Sequence, residues 1–389
     1  MRYRILTLNN ISARGLERLP RDRYEVAPDI DRPDAILVRS ADMHKTAVSD
    51  TVRAVGRAGA GVNNIPVAEL SKRGIPVFNA PGANANAVKE LVLAGLLLAA
   101  RNVCPAWSFA RSQTGDDHAI DAAVEQGKKK FVGFELPGRT LGVVGLGAIG
   151  VEVANAALAL GMKVLGYDPQ ITVQRAWQLS SNVEQALSLD DLFARADAIT
   201  VHVPLNDQTK HLVNQARLKL MKKTGIVLNF ARAAIVDDQA VVSALDDGRL
   251  HAYVCDFPNN ILKDHPKVVT LPHLGASTGE AEENCAVMVA DQVRDFLENG
   301  NIRNSVNYPE AVLPRAPKTT RLAIANSNVP NMVGQISTCL AAARINIAEL
   351  LNKSRGEYAY TLVDADGAIG DDLLATIRAI EGILSARVL

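Results

Sequence analysis

Residues 140–150, TLGVVGLGAIG, confine this chain to a narrow set of folds. An apolar run suited to a buried strand meets Gly145, Gly147 and Gly150 at the spacing G-x-G-x-x-G, and small residues suited to a helix follow. Glycine allows the tight strand-to-helix turn and lets backbone N–H groups approach a ligand closely. A helix N-terminus opened in this way suits a pyrophosphate. The hexapeptide alone also fits a purely structural turn in another α/β protein. Its surroundings narrow the reading: KVLGYDP (163–169) supplies a second strand and sets Asp168 about twenty residues beyond the turn. A carboxylate there accepts from both ribose hydroxyls and repels the extra phosphate of NADP, and no arginine follows it in YDPQ. The expected cofactor is NAD.

The same rhythm continues through DLFARADAITVHVP, TGIVLNFAR and VVTLPHLG, with helical stretches between them. This alternation predicts a doubly wound, Rossmann-like parallel sheet. Upstream, YRILTLN, AILVRS, RAVGRAGAG and IPVFNAPG predict a second, smaller α/β domain of the same kind. The amphipathic stretch after Thr278 predicts a long helix returning the chain to that first domain. Residues 301–318 carry three prolines and little periodicity and read as a linker. Beyond them the pattern restarts as strand, helix, hairpin, helix, strand, the βαββαβ order of a ferredoxin-like unit. The predicted domains are 1–92 for substrate, completed by a return helix at 279–300; 93–278 for the dinucleotide; a linker at 301–318; and a small unit at 319–389.

Composition excludes some partners. Lys plus Arg and Asp plus Glu number 42 each, so no overall field favours nucleic acid or an anionic membrane. A bound anion therefore needs a local cluster of cations. The four cysteines form no C-x-x-C pair, which argues for reduced thiols and against a metal site. MRYRILTLNN reads as a strand, not a signal peptide, and VKELVLAGLLLAAR (88–101) is too short to span a bilayer. A cytoplasmic protein is expected.

Three strand ends carry candidate chemistry. His202, Val203 and Pro204 close one strand and could pass beside the nicotinamide ribose, although a surface histidine fits His202 as well. Arg232 follows another strand among alanines, where a guanidinium could grip a carboxylate and polarise the adjacent carbonyl. A helix-capping or domain-bridging arginine remains the alternative. His273 lies between VVTLP and LGAST, placed to take a hydroxyl proton as hydride leaves the same carbon. Most single histidines have no such role, but Arg232 and His273 fall at the same edge of one sheet.

GLGAIG, YDP, NFARAAIVDD and PHLGAST, with VRSADMHK, GRAGAGVNNIPV and NAPGANANAVKELV upstream, resemble the D-isomer-specific 2-hydroxyacid dehydrogenases over about the first 300 residues. The resemblance implies NAD-dependent oxidation of a phosphorylated 2-hydroxy acid. It implies that Arg39, Ser40 and Arg57 hold phosphate and carboxylate and that Asn84 lies in a substrate-side loop. Arg232 would anchor the substrate, and His273 would be the general acid/base. The cofactor would lie along Gly147, Ala148 and Ile149, with Ala231, Asp256 and Gly275 near the nicotinamide. The family pairs its histidine with a glutamate; aligning DFP puts Asn260, or its neighbour Asn259, at that position, with Asp264 as a substitute from the same loop. An asparagine could orient the ring without supplying charge. The tail resembles an ACT domain, which implies an amino-acid effector, serine, at Asn328 and Asn346, and pairing between subunits in a homodimer or homotetramer. It departs from that pattern at Asn331 and Arg344, where glycine is usual, and at Asn326, where some relatives carry histidine. Dehydrogenases of other D-2-hydroxy acids, and NAD(H)-sensing binding proteins on the same fold, are the alternative readings.

Overall fold

The computed structural model describes residues 2–389, and their contacts divide the chain into two units, Met1–Ala83 with Glu282–Leu389, and Asn84–Ala281. In the first unit β1 (Tyr3–Leu8), β2 (Tyr24–Ala27), β3 (Ala35–Val38), β4 (Ala54–Arg57) and β5 (Val77–Phe78) form a parallel sheet in the order β2-β1-β3-β4-β5. All four residues of β3 are buried, as expected for a strand covered on both faces. The Gly279–Asn299 helix covers one face, burying Ala286, Val289, Val293 and Leu297 against Ile5, Leu37 and Phe78. Gly15 and Gly56 permit this approach, since a side chain at either would overlap Ala286 or Val289.

The second unit holds β6 (Thr140–Val144), β7 (Lys163–Tyr167), β8 (Val183–Gln185), β9 (Ala198–Val201), β10 (Ile226–Asn229), β11 (Ala252–Cys255) and β12 (Val268–Thr270). Their order, β12-β11-β10-β9-β6-β7-β8, reverses direction beside β6, which places a crevice at the carboxyl ends of β6 and β9. The boundary precedes the Ala85–Ala100 helix and does not fall within it at residue 92. That helix buries Val88, Val92, Leu96 and Ala99 in the second unit's core, and Gly95 admits Phe230 and Val254 to its surface.

β13 (Thr320–Ser327), β14 (Asn346–Arg355), β15 (Tyr358–Asp366) and β16 (Ile383–Val388) form an antiparallel sheet in the ferredoxin-like order β14-β15-β13-β16. One face packs on the Met332–Ala342 and Asp371–Arg378 helices through Ile324, Ile336 and Ile377. The other contributes Ala325, Tyr360 and Leu362 to the cluster that contains Phe78 and Phe296. The ferredoxin-like module is thus part of the first unit.

Of the expected linker at 301–318, the first part, 301–311, is packed. Ile302, Tyr308 and Ala311 are fully buried, Ser305 bridges to Phe78, and Asn307 accepts from Val77 N and donates to Ile75 O. Prolines interrupt periodicity without preventing burial when side chains such as Asn307 satisfy the backbone. Among the described residues no helix is long and apolar enough to cross a membrane.

Candidate active site

At the crevice of the second unit, Gly145 adopts φ +90° and donates its N–H to Tyr167 O at 2.9 Å. A side-chain carbon there would lie 2.7 Å from the His202 carbonyl oxygen, and one at Gly150 would overlap the Gly145 carbonyl. Gly147 has open space where a side chain would stand, so its backbone and the start of the Ala148–Ala159 helix are accessible. Asp168 follows β7 and is fixed by accepting from Leu146 N at 2.8 Å and Gln170 N at 2.9 Å. Ile149 is half-buried against the core beneath this turn. His202 bonds Thr200 Oγ1 at 2.9 Å; burial pushes its pKa down to about 3, so the ring is neutral. Val203 packs near Gly145 and Pro204 is exposed.

Arg232 leaves β10 with its guanidinium exposed and one N–H donated to Ala231 O at 2.6 Å. Asn229, fully buried at the end of the strand, holds this turn by accepting from Ala231 N and donating to Arg232 O. The next strand end works in the same way. Asp256, 1% exposed, accepts from Leu274 N at 2.7 Å and Gly275 N at 2.9 Å, which fixes the loop that carries His273. Asp256 is therefore a loop anchor for His273. His273 itself is exposed, with φ +54°, and its ring meets Phe257 edge-on at 5.3 Å between centroids.

No side chain among the described residues hydrogen-bonds the His273 ring. Asn260 is exposed and makes no side-chain hydrogen bond among the described residues, whereas Asn259 donates to Asp238 at 2.7 Å and accepts from Ile261 N and Leu262 N. Asp264 points to solvent, 85% exposed, near Lys263. None of the three candidate partners hydrogen-bonds the histidine here.

In the first unit Arg39 follows β3 and ion-pairs with Glu282, while Arg57, at the end of β4, donates to Arg39 O at 3.1 Å and packs on Gly59. Ser40 is exposed beside them. Asn84 precedes the Ala85–Ala100 helix without capping it through its side chain. In the ferredoxin-like module Asn328 donates to Gly356 O at 3.0 Å and Asn346 to Asp366 at 2.9 Å, and Asn326 is buried against Ser327 O. Asn331 and Arg344 take φ +64° and +56°, the left-handed conformations for which glycine is usual.

Residues 93–275 match the family described as D-isomer specific 2-hydroxyacid dehydrogenase, NAD binding domain. A D-3-phosphoglycerate dehydrogenase of Methanocaldococcus jannaschii is 34% identical over 380 residues, covering 94% of this chain and 69% of that protein. The chain belongs to the D-isomer-specific 2-hydroxyacid dehydrogenases. The D-3-phosphoglycerate dehydrogenase of Haemophilus influenzae is likewise 34% identical, over 86% of this chain and 81% of its own. In fold, the NAD+-bound 3-phosphoglycerate dehydrogenase of Entamoeba histolytica superposes with a TM-score of 0.60 at 24% identity, covering 78% of this chain and 99% of that one.

As a D-2-hydroxyacid dehydrogenase the chain is an NAD-dependent oxidoreductase, and its residues fit the dinucleotide. Gly147 leaves its backbone accessible, Asp168 is held as a fixed acceptor, and no arginine accompanies Asp168 to favour NADP. Sequence reasoning missed Asn229 and Phe257. The signal for Asn229 was present as one polar residue closing an otherwise apolar strand; Phe257 gave none, because its role depends on a contact across the loop.

Proposed function

We propose that this D-2-hydroxyacid dehydrogenase oxidises D-3-phosphoglycerate to 3-phosphohydroxypyruvate in the cytoplasm, opening the route to serine. The observation that carries this reading is 34% identity, across 94% of the chain, to a protein of that activity. Bound NAD supplies the hydride acceptor. His273 takes the C2 hydroxyl proton and returns it in reduction. Arg232 grips the carboxylate and polarises the forming carbonyl, with Asn229 holding its turn. Arg39, Ser40 and Arg57 take the phosphate, and Asn84 serves the substrate-side loop. Gly147, Ala148 and Ile149 would hold the cofactor, with Asp168 at its adenosine ribose, Ala231, Asp256 and Gly275 near the nicotinamide, and His202, Val203 and Pro204 beside the nicotinamide ribose. The C-terminal module acts as an ACT domain, taking serine at Asn328 and Asn346 and pairing subunits in a homodimer or homotetramer; its ferredoxin-like strand order supports this.

One observation favours a second reading. Asn260 stands at the position the family gives to glutamate, and no carboxylate bonds His273. A protein that binds NAD(H) and turns over slowly would show this arrangement. NADH consumption with 3-phosphohydroxypyruvate, followed across pH for the parent and for Asn260→Glu, separates the two. We expect turnover by the parent and a rate gain of about tenfold or more in the variant, with the pH–rate profile moved to higher pH, because a carboxylate favours the imidazolium. Absence of turnover in both proteins, with NADH still bound, would overturn the substrate assignment.

A further inference from the structure

The first unit has a cleft of about 880 Å³ where its parallel sheet meets the ferredoxin-like module. Six arginines line it: Arg4, Arg32, Arg53, Arg73, Arg378 and Arg387. Three aspartates share it; Asp34 pairs with Arg53 at 3.4 Å and Asp50 with Arg32 at 3.9 Å, and Asp371 begins the Asp371–Arg378 helix. Arg4 pairs outside the cleft with Glu25. Counting Glu25, six arginines against four acids leave two positive charges in excess, in a chain whose total is balanced at 42 and 42.

The remaining arginines are held by carbonyl oxygens. Arg73 donates to Val48 O and Ser49 O, Arg378 to Ala386 O, and Arg387 to Phe296 O and Leu297 O. Carbonyls fix a guanidinium in direction without cancelling its charge, which is how a preformed anion site is built. Burial lowers the pKa of Arg387; Tyr360 opposes the shift and Arg53 adds to it. The cleft lies at the amino ends of the sheet, with Arg4 opening β1, Asp34 and Arg53 preceding β3 and β4, and Gly74 and Ile75 preceding β5. Arg39 and Arg57 stand at the carboxyl ends of β3 and β4. The two cation clusters therefore occupy opposite ends of one sheet.

We propose that this cleft is a second anion site, binding a small phosphate-bearing polyanion between the sheet and the ferredoxin-like module. The ligand bridges arginines from both parts. It therefore ties the module to the sheet beyond the Ser385 Oγ–Gly74 O bond at 3.2 Å that already joins them there. This site is independent of the substrate assignment, and one titration keeps the two apart.

Pyrophosphate is titrated into the full chain by calorimetry at fixed ionic strength, with sodium chloride as the control. The proteins are the parent, Arg39→Gln, and Arg32→Gln/Arg378→Gln, whose exposed side chains leave the core intact. We expect the cleft double variant to lose affinity about tenfold or more while Arg39→Gln keeps the cleft's binding. Pyrophosphate should also raise the parent's Tm by about 2–4 °C, an increase absent from the double variant. Unchanged affinity in the double variant overturns the proposal. So does binding abolished by Arg39→Gln alone, which would confine the anion to the Arg39 cluster. Failure of the substrate assignment would appear instead as an Arg39→Gln variant with an unaltered KM for 3-phosphohydroxypyruvate.

Discussion

Single residues in this protein carry backbone and protonation penalties that can be measured. Arg344 ends the Met332–Ala342 helix at φ +56°, where a Cβ crowds the following carbonyl. Arg344→Gly relieves that strain, which outweighs the cost of a looser unfolded chain, so it should stabilise the protein by roughly 0.5–1 kcal/mol, read from urea unfolding. His202 sets a pH dependence. Folded, its pKa is lowered from 6.5 to about 3, so below pH 6.5 the unfolded chain takes up a proton that the native one refuses. Stability from this group is complete above pH 6.5 and declines as pH falls toward 3, by about 2 kcal/mol at pH 5. Denaturant unfolding at pH 7, 6 and 5 should show that decline, and His202→Asn should flatten it.

At the scale of elements, one ion pair joins pieces that the chain separates. Arg321 on β13 and Asp364 on β15 are both 0% exposed and bond twice, at 2.6 and 2.7 Å. Arg321 also donates to Asn299 O, Leu313 O and Pro314 O, and Asp364 accepts from Ala316 N. The pair thus clamps the 301–318 segment onto the module's sheet. Desolvation would raise the Asp364 pKa, but the Arg321 and Ala316 bonds outweigh it and the net shift is downward. Arg321→Ala would strand a buried carboxylate and should cost about 3–5 kcal/mol in chemical denaturation. Arg321→Met/Asp364→Leu should recover only part of that loss, because no charge is left uncompensated but Asn299 O, Leu313 O, Pro314 O and Ala316 N lose their partners. The glycine turn, Asp168 and the order of strands around them were readable beforehand, since each depends on a few adjacent residues. The clamp was not, because its two members are 43 positions apart and neither is unusual in its own neighbourhood.

Across the whole molecule, the ferredoxin-like module and the first sheet share a hydrophobic cluster, with Ala325, Tyr360 and Leu362 meeting Phe78, Phe296 and Tyr308. Removing residues 319–389 would strip cover from Phe296 and Tyr308 and leave the Arg321 acceptors unpaired. A chain ending at 318 should therefore be largely insoluble or lose about 5 °C or more in Tm, checked by soluble yield and thermal unfolding. A module merely tethered by its linker would leave both unchanged.

The α/β class, the three patterned regions, the dinucleotide turn and the strand ends that carry Arg232 and His273 are all legible in the order of residues. Hydrophobic period, glycine geometry and strand-end position are local properties, and they survive in a single row of letters. Only the folded molecule shows that most of 301–311 is buried, that the units divide before the Ala85–Ala100 helix, and that Asp256 and Asn229 hold the two catalytic-candidate loops. It also set Phe257 edge-on against the His273 ring. Each of these depends on which distant groups share a low-dielectric space, where an unmade hydrogen bond is costly and a made one is retained.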